Sequence, residues 1–264
     1  MSPLLAFYAF AVGAVVGSFL NVVIHRYPRE ESIVFPASHC PKCNVAIRAY
    51  DNIPILSYLI LLGRCRACRA PISPRYPLVE LANALFYLAL FERTGIELAF
   101  IPLAALVSMT IVLIFIDAEI QILPNVITYP GVAVGFAIGT LPAIPSLSTA
   151  TSLLESAAGA LIGAGFLLAV ALTYKLVRRI DGMGLGDVKM MAMVGAALGW
   201  EGVLEVMLVG SVVGAVIGVP IALKTAKKMR HELPFGVFLG YATLIILFFG
   251  QALSQWWIAL LLPR

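Results

Sequence analysis

Two aspartates interrupt apolar stretches in which a charged side chain is costly. Asp117 lies in "IFIDAEIQILPNVITYP" (114–130), and Asp187 lies in "GMGLGDVKM" (182–190), directly before the apolar run "MAMVGAALGW". Two carboxyl groups that face each other in a partly dry site tend to share one proton. One can then act as a base on a water molecule while the protonated one polarises a peptide carbonyl. The pair is therefore a candidate dyad for hydrolysing a peptide bond.

The same two residues also have simpler interpretations. Asp187 could be a helix N-cap, because an Asp side chain accepts hydrogen bonds from the free N–H groups at a helix start, and Lys189 could be its solvated neighbour. Asp117 could simply lie at the end of a membrane span with its side chain in water. Carboxylates at membrane edges also relay protons in transporters. The residue types alone leave all of these interpretations open.

Glycines surround Leu185 in the segment before Asp187. Gly184 and Gly186 have no Cβ, so their backbone can approach another chain closely. We expect a strand-like stretch here that pairs with an extended substrate peptide and presents its scissile bond to the acids. These three residues and Lys189 are the candidate substrate-positioning residues.

Four cysteines form two C-x-x-C pairs. The first is "CPKC" (Cys40 and Cys43) and the second is "CRAC" (Cys65 and Cys68). Two such pairs with a long gap favour a structural zinc ion held by four thiolates. A redox role needs only one pair, and disulfides are disfavoured in a reducing compartment. The 3 histidines do not cluster in the sequence and no H-E-x-x-H motif occurs, so a catalytic zinc site is not expected.

The composition places these groups in a membrane. The 264 residues are 61% hydrophobic and 12% charged, with a mean hydropathy of +0.98, far from the balance of a soluble domain. Apolar runs of span length predict an all-α polytopic membrane protein of about eight transmembrane helices with a small zinc-binding cytoplasmic loop. The predicted spans are 4–24, 77–94, 98–116, 124–142, 153–175, 188–200, 202–222 and 235–262.

Basic residues orient the spans. With the N-terminus outside, only Arg93 and Arg264 of the 18 Lys and Arg residues fall on the outer side. This distribution follows the positive-inside rule and places both aspartates at the cytoplasmic edge. The net charge of +4 therefore reports membrane orientation and gives no nucleic-acid signal.

The chain divides into three parts by this pattern. Residues 1–24 form the first transmembrane helix, 25–76 the four-cysteine cytoplasmic loop domain and 77–264 the membrane-embedded core. The loop has few large apolar side chains, so metal binding would supply much of its folding energy. The segment "GAVVG" (13–17) has a small-x-x-x-small spacing that allows close helix packing, including in a homodimer.

Seven motifs, in order along nearly the whole chain, resemble the type IV prepilin leader peptidases, which are G-x-G-D membrane aspartic proteases. They are "GSFLNVVIHR" (17–26), the two C-x-x-C pairs, "SPRYPLVELANAL" (73–85), "FIDAEIQILPNVIT" (115–128), "GMGLGDVKMMAMVGAALG" (182–199) and "LPFGVFLG" (233–240). The resemblance implies that Asp117 and Asp187 are the catalytic pair. Asn125, where many members of the family have Asp, and "PFGV" (234–237), in place of "PFGP", depart from the family pattern without touching that pair.

The resemblance also implies a second activity. Family members with the four-cysteine loop typically methylate the new N-terminal residue with S-adenosylmethionine. The sequence does not indicate which residues bind that cofactor, since no glycine fingerprint follows a predicted strand. The implied clients are type IV prepilins or type II secretion pseudopilins, met at the cytoplasmic face of the bacterial inner membrane in contact with lipid.

Two rival functions make different predictions. A proton-coupled transporter would use Asp117 and Asp187 as relay carboxylates and would leave peptide leaders intact. The two halves of the chain show no internal symmetry that would favour it. A zinc-bearing scaffold of a secretion machine would need the cysteines and tolerate loss of the aspartates.

Overall fold

The computed structural model describes residues 2–180, 184–224 and 234–261. In these ranges the regular elements are helices, accompanied by two isolated antiparallel bridges in the cysteine loop. The α-helices are α1 (Pro3–Arg26), α2 (Leu56–Ile60), α3 (Arg75–Thr94), α4 (Phe100–Ile120), α5 (Asn125–Gly139), α6 (Leu153–Arg178), α7 (Leu185–Lys224) and α8 (Phe235–Leu261). The predicted all-α class is confirmed, and each predicted span falls on a helix.

The described helices include five that are long and apolar enough to cross a membrane, namely α1, α4, α6, α7 and α8. Helix α5 is apolar but shorter. The long helix α7 is broken at Gly199, whose φ of 75° and ψ of −176° are not helical. This break separates the two spans predicted over 188–200 and 202–222, because glycine alone takes this conformation readily.

The chain forms two compact units, Met1–Phe100 and Ile101–Arg264. The first holds α1, the cysteine loop and α3, and the second holds the part of the chain from α4 onward. We placed the boundary between loop and core at 76/77, before α3. The structure instead groups α3 with α1, the helix that precedes the loop.

In the first unit, α1 and α3 run antiparallel in close contact. A Cβ on Gly13 would lie 2.8 Å from the Ala84 backbone, and one on Gly17 would lie 2.7 Å from the Glu80 Cα. The buried Asn83 side chain donates a hydrogen bond of 2.7 Å to the carbonyl of Gly13. The small residues of "GAVVG" therefore serve packing within the chain, where they let two backbones approach.

In the second unit, α6 and α7 meet through glycine. A Cβ on Gly159 would lie 2.1 Å from the carbonyl oxygen of Gly195, and one on Gly163 would lie 2.6 Å from that of Met191. On the neighbouring helix α5, Gly135 would meet the Ala197 backbone at 2.9 Å. Backbone contact of this kind is how helices associate in lipid, where there is no hydrophobic drive between them.

The variant Gly159→Ala tests this contact. Its Cβ would force α6 away from α7, so we expect the free energy of unfolding to fall by about 1–3 kcal/mol. The matched control is Gly165→Ala on the same helix, where a Cβ meets nothing within 4 Å. That control should raise stability slightly, because alanine is the better helix former. Equal effects of the two variants in a reversible unfolding assay in detergent would contradict the packing.

Candidate active site and metal centre

Three helices of the second unit converge at Gly240 of α8. A Cβ there would lie 2.3 Å from Ile114 of α4 and 3.5 Å from Met190 of α7. One helical turn from these positions, on each helix, come Asp117, Asp187 and Gly236. The contact at Gly240 therefore brings the two aspartates to the same end of the unit, because residues three or four apart share a helix face.

Asp117 is held by the first turn of α8. Its side chain is 4% exposed, and its Oδ2 accepts a hydrogen bond of 2.9 Å from the backbone N–H of Val237. A Cβ on Gly236 would lie 2.9 Å from the same oxygen. The first N–H groups of a helix have no partner within it and favour a negative charge. The carboxyl group can reach them here because residue 236 has no side chain.

Asp187 lies beside this group. It is the third residue of α7, so it is not the N-cap that the simpler interpretation requires. Its carboxyl group interacts electrostatically with that of Asp117. Leu123, in the connection between α4 and α5, would touch a Cβ on Gly186 at 2.9 Å and one on Gly236 at 3.1 Å. A single buried side chain thus packs beside Gly186, the neighbour of Asp187, and beside Gly236, which lies against the carboxyl group of Asp117.

The strand-like conformation expected at 184–186 is wrong for two of its residues. Leu185 and Gly186 belong to the first turn of α7, while Gly184 precedes the helix. Gly186 faces Leu123, so its missing side chain permits close packing within the unit. Gly184 and Leu185 are exposed. Gly182 and Met183 of the same motif lie outside the described residues.

Lys189 is tied to α5. Its Nζ donates a hydrogen bond of 2.7 Å to Oδ1 of Asn125 and lies 5.6 Å from the ring centroid of Tyr129. Asn125, which departs from the family pattern, therefore has a role in the structure, because its amide oxygen accepts a hydrogen bond from Lys189. The link joins the first turn of α5 to the second turn of α7.

The four cysteines form one cluster in the first unit. Their Sγ atoms all lie within 4.8 Å of one another, with Cys40 to Cys68 at 3.8 Å and Cys43 to Cys65 at 4.0 Å. Tetrahedral zinc with Zn–S bonds of about 2.3 Å places its sulfurs about 3.8 Å apart. A disulfide needs about 2.05 Å, so the cysteines are free thiols in an arrangement that fits a metal ion.

Each C-x-x-C pair lies on a small hairpin turn of the same construction. In both turns the N–H of the first cysteine donates to the carbonyl of the residue five positions later. The carbonyl of the same cysteine accepts from the N–H of the residue four positions later. The bonds are Cys40 to Val45, Asn44 to Cys40, Cys65 to Ala70 and Arg69 to Cys65. The residues at the turns, Asn44 and Arg69, have positive φ angles of 55° and 57°.

Backbone donors prepare the second turn for a metal. The N–H groups of Cys68 and then Ala67 lower the pKa of the Cys65 thiol to about 7. The thiolate is the form that binds metal ions, and hydrogen bonds to a charged form favour it. Cys65 therefore has thiolate character near neutral pH, whereas burial and the hydrogen bonds of the neighbouring thiols raise the pKa of Cys43 to about 11.

Comparison with known proteins identifies the family of the chain. The bacterial peptidase A24 N-terminal domain matches residues 11–94, and the type IV leader peptidase family matches residues 104–219. The chain is 38% identical over 272 residues to a prepilin leader peptidase/N-methyltransferase of Burkholderia pseudomallei (strain 1026b), an alignment that covers 92% of this chain and 85% of that protein. The chain belongs to the type IV leader peptidase family.

Two further relatives of the same name align over most of this chain. A protein of the same name from Myxococcus xanthus (strain DK1622) is 41% identical over 80% of this chain and 61% of its own length. Another from Aeromonas hydrophila is 35% identical over 94% of this chain and 92% of its own length. No solved structure matches the chain. The resemblance stated from sequence motifs is confirmed, and the transporter alternative gains no support from these relatives.

The two family segments follow the two compact units. The segment 11–94 contains the cysteine cluster, and 104–219 contains both aspartates. The sequence did not single out Leu123, Gly236 or Val237 as site residues. Only the glycine had a signal, since it lies in the motif "LPFG" (233–236) directly before a long apolar run.

Proposed function

We propose that this chain is a membrane aspartic endopeptidase that removes the leader peptide of type IV prepilins or pseudopilins and N-methylates the residue it exposes. The proposal rests on the pairing of Asp187, in the first turn of α7, with Asp117 of α4, whose carboxyl group accepts a hydrogen bond from the first turn of α8. It gives a member of the leader peptidase family the two carboxyl groups that peptide hydrolysis needs. The names of its relatives supply the substrate and the second activity.

The dyad works as one unit that holds a single proton. The ionised carboxyl group takes a proton from a water molecule, whose oxygen attacks the scissile carbonyl carbon. The protonated carboxyl group donates to the carbonyl oxygen. The C–N bond then breaks, the amine leaves with a proton from the dyad, and the leader is released with a carboxylate. The Val237 N–H holds Asp117 in one orientation during these steps.

The clients suit the depth of this site. A prepilin joins a basic leader in the cytoplasm to an apolar helix in the bilayer, so its scissile bond lies at the membrane edge. Asp117 and Asp187 lie near the ends of helices long enough to span a membrane, α4 and α7. The distribution of Lys and Arg orients that end towards the cytoplasm and makes the bacterial inner membrane the expected location.

We assign the positioning of the substrate to the segment 184–186 and to Lys189. The first N–H groups of α7 are free of helical partners and can donate to the carbonyl groups of an extended peptide. Gly184 and Leu185 are exposed and accessible to it. Lys189, held by Asn125, fixes the start of α7 against α5.

Methylation requires a donor and a deprotonated amine. S-adenosylmethionine would supply the methyl group. The described residues assign no pocket to it, so we place no residue in that step. The preceding cleavage generates the amine that is methylated, which orders the two reactions.

The cysteine cluster is assigned to zinc with a structural role. Four thiols at the spacing of a tetrahedral site fit that ion, and four protein ligands leave no open position for a substrate. Bound zinc would link the two hairpin turns. The loop 25–76 would then gain from the metal the folding energy that its small core lacks.

The first experiment is mass spectrometry of a type IV prepilin co-expressed with the chain. The wild type should remove the leader and add one methyl group. Asp117→Asn and Asp187→Asn should each reduce cleavage by about 100-fold to 10,000-fold, because each removes half of the acid–base pair. Cleavage that survives both substitutions would exclude the dyad. Cleavage without methylation would keep the peptidase and remove the second activity.

Gly236→Ala tests how Asp117 is held. The new Cβ would lie 2.9 Å from Oδ2 and displace the carboxyl group from the Val237 N–H. We expect kcat for leader cleavage to fall by up to about 100-fold with little change in KM, since the dyad is misplaced by a fraction of an ångström. Gly165→Ala, in open space on α6, is the control that should keep wild-type kinetics. An unchanged kcat in Gly236→Ala would refute the role of this contact.

Metal removal tests the cysteine cluster. The purified chain should contain one zinc ion, and its cobalt form should show the absorption of thiolate ligands in tetrahedral geometry. Cys43→Ser and Cys65→Ser should lose the metal and make the loop 25–76 sensitive to limited proteolysis, because each removes a ligand. A loop that remains resistant in the metal-free protein would contradict the structural assignment.

A further inference from the structure

Helix α2 in the cysteine loop turns large apolar side chains outward. Leu56, Leu59, Ile60 and Leu62, called here the α2 patch, are 55%, 61%, 71% and 84% exposed. Within so small a domain, four adjacent exposed aliphatic side chains are unusual for a surface in water. Such a surface indicates a partner that covers it.

The polar groups of the same segment point inward. Ser57 is buried, and its Oγ accepts from the N–H of Ile53 at 2.9 Å and donates to the carbonyl of Tyr50 at 3.2 Å. The N–H of Ile55, just before the helix, donates to Oε2 of the buried Glu80 at 2.7 Å. Polar groups inside and apolar groups outside are the reverse of the arrangement that water favours.

The bond to Glu80 sets the depth of α2. Glu80 lies in the second turn of α3 and packs against Gly17 of α1. Gly17 is nine residues, or about 13 Å of helix, before Arg26 at the end of that span. The start of α2 is therefore tied to the part of the α1–α3 pair that lies within the bilayer. At the same depth on α3, Leu78 and Leu81 are 57% and 39% exposed, as lipid-facing side chains are.

The rim of the α2 patch is basic. Arg64 and Arg69 are exposed on the hairpin turn that follows Leu62. The acid nearest in sequence, Asp51, is neutralised by Arg66, whose Nε lies 2.8 Å from its Oδ2, and this bond lowers the pKa of Asp51. Arginine side chains extend from an apolar surface to the lipid headgroups, and anionic headgroups attract them.

We propose that the α2 patch is inserted into the headgroup and acyl boundary of the membrane and anchors the cysteine loop on the bilayer surface. Its partner is the lipid bilayer, with anionic headgroups at Arg64 and Arg69. The anchor holds the two hairpin turns at the membrane edge, where a membrane-anchored client emerges. The insertion depends on the membrane placement of α1 and does not depend on either catalytic activity.

Photo-crosslinking of the full chain in lipid nanodiscs tests the anchor. The photoreactive amino acid p-benzoylphenylalanine replaces Leu62, and lipid adducts are measured by mass spectrometry in nanodiscs that contain phosphatidylglycerol. Leu161 on the spanning helix α6, 75% exposed, is the positive control. Val45 on the first hairpin turn, 51% exposed, is the negative control in the same loop.

We expect lipid adducts at position 62 at the yield seen at position 161, and a background yield at position 45. Adducts from position 62 to a second copy of the chain or to a co-reconstituted prepilin, in place of lipid, would overturn the proposal. A background yield at 62 beside a full yield at 161 would overturn it as well.

A second variant separates the anchor from folding. Arg64→Gln with Arg69→Gln leaves the apolar side chains in place. It should lower the yield at position 62 in nanodiscs with phosphatidylglycerol and leave it unchanged in purely zwitterionic ones. The same yield in both lipids would refute the role of the arginines. These adduct yields do not depend on whether the chain cleaves a leader peptide. Failure of the proposed enzyme function is therefore distinguishable from failure of the anchor.

Discussion

The close approach of α4, α7 and α8, which two glycines of α8 permit, is the constraint on which the proposed dyad depends. At Gly240 the three helices touch through Ile114 and Met190, and one turn further a second glycine, Gly236, leaves room for the carboxyl group of Asp117. A side chain at either glycine would have to move a helix, and the two carboxyl groups would separate. Helices α7 and α8 also begin here. The N–H groups of their first turns offset part of the cost of placing acids at a membrane edge.

The first unit is stabilised by different contacts. Its helix pair is held by the close contact of Gly13 and Gly17 with α3 and by the amide of Asn83. The loop between those helices leaves many of its large apolar side chains exposed, those on α2 among them, so it has little core of its own. A metal ion on one side and a lipid surface on the other would supply the two stabilising contacts that the loop cannot make internally.

The two sites lie in different family segments. The unit with the aspartates matches the leader peptidase family segment, and the unit with the cysteines matches the N-terminal domain that accompanies it. A peptide bond at the membrane edge and the amine that its cleavage releases lie at the same depth, because both belong to one anchored client. A loop fixed to the bilayer surface would keep its turns at that depth.

The sequence by itself determined the helices, their membrane character, the two acids and the four clustered cysteines, because span length and the spacing of C-x-x-C pairs are local properties of the chain. It also separated the spans on either side of Gly199, since a break needs only a glycine at the right place. The tertiary structure decided the rest. The bond from Val237 to Asp117 joins residues 120 positions apart, and that from Lys189 to Asn125 joins residues 64 apart. The extended form expected for Leu185 and Gly186 was wrong for the same reason. A glycine-rich segment allows either a strand or a helix, and contact with Leu123, from another part of the chain, accompanies the helix.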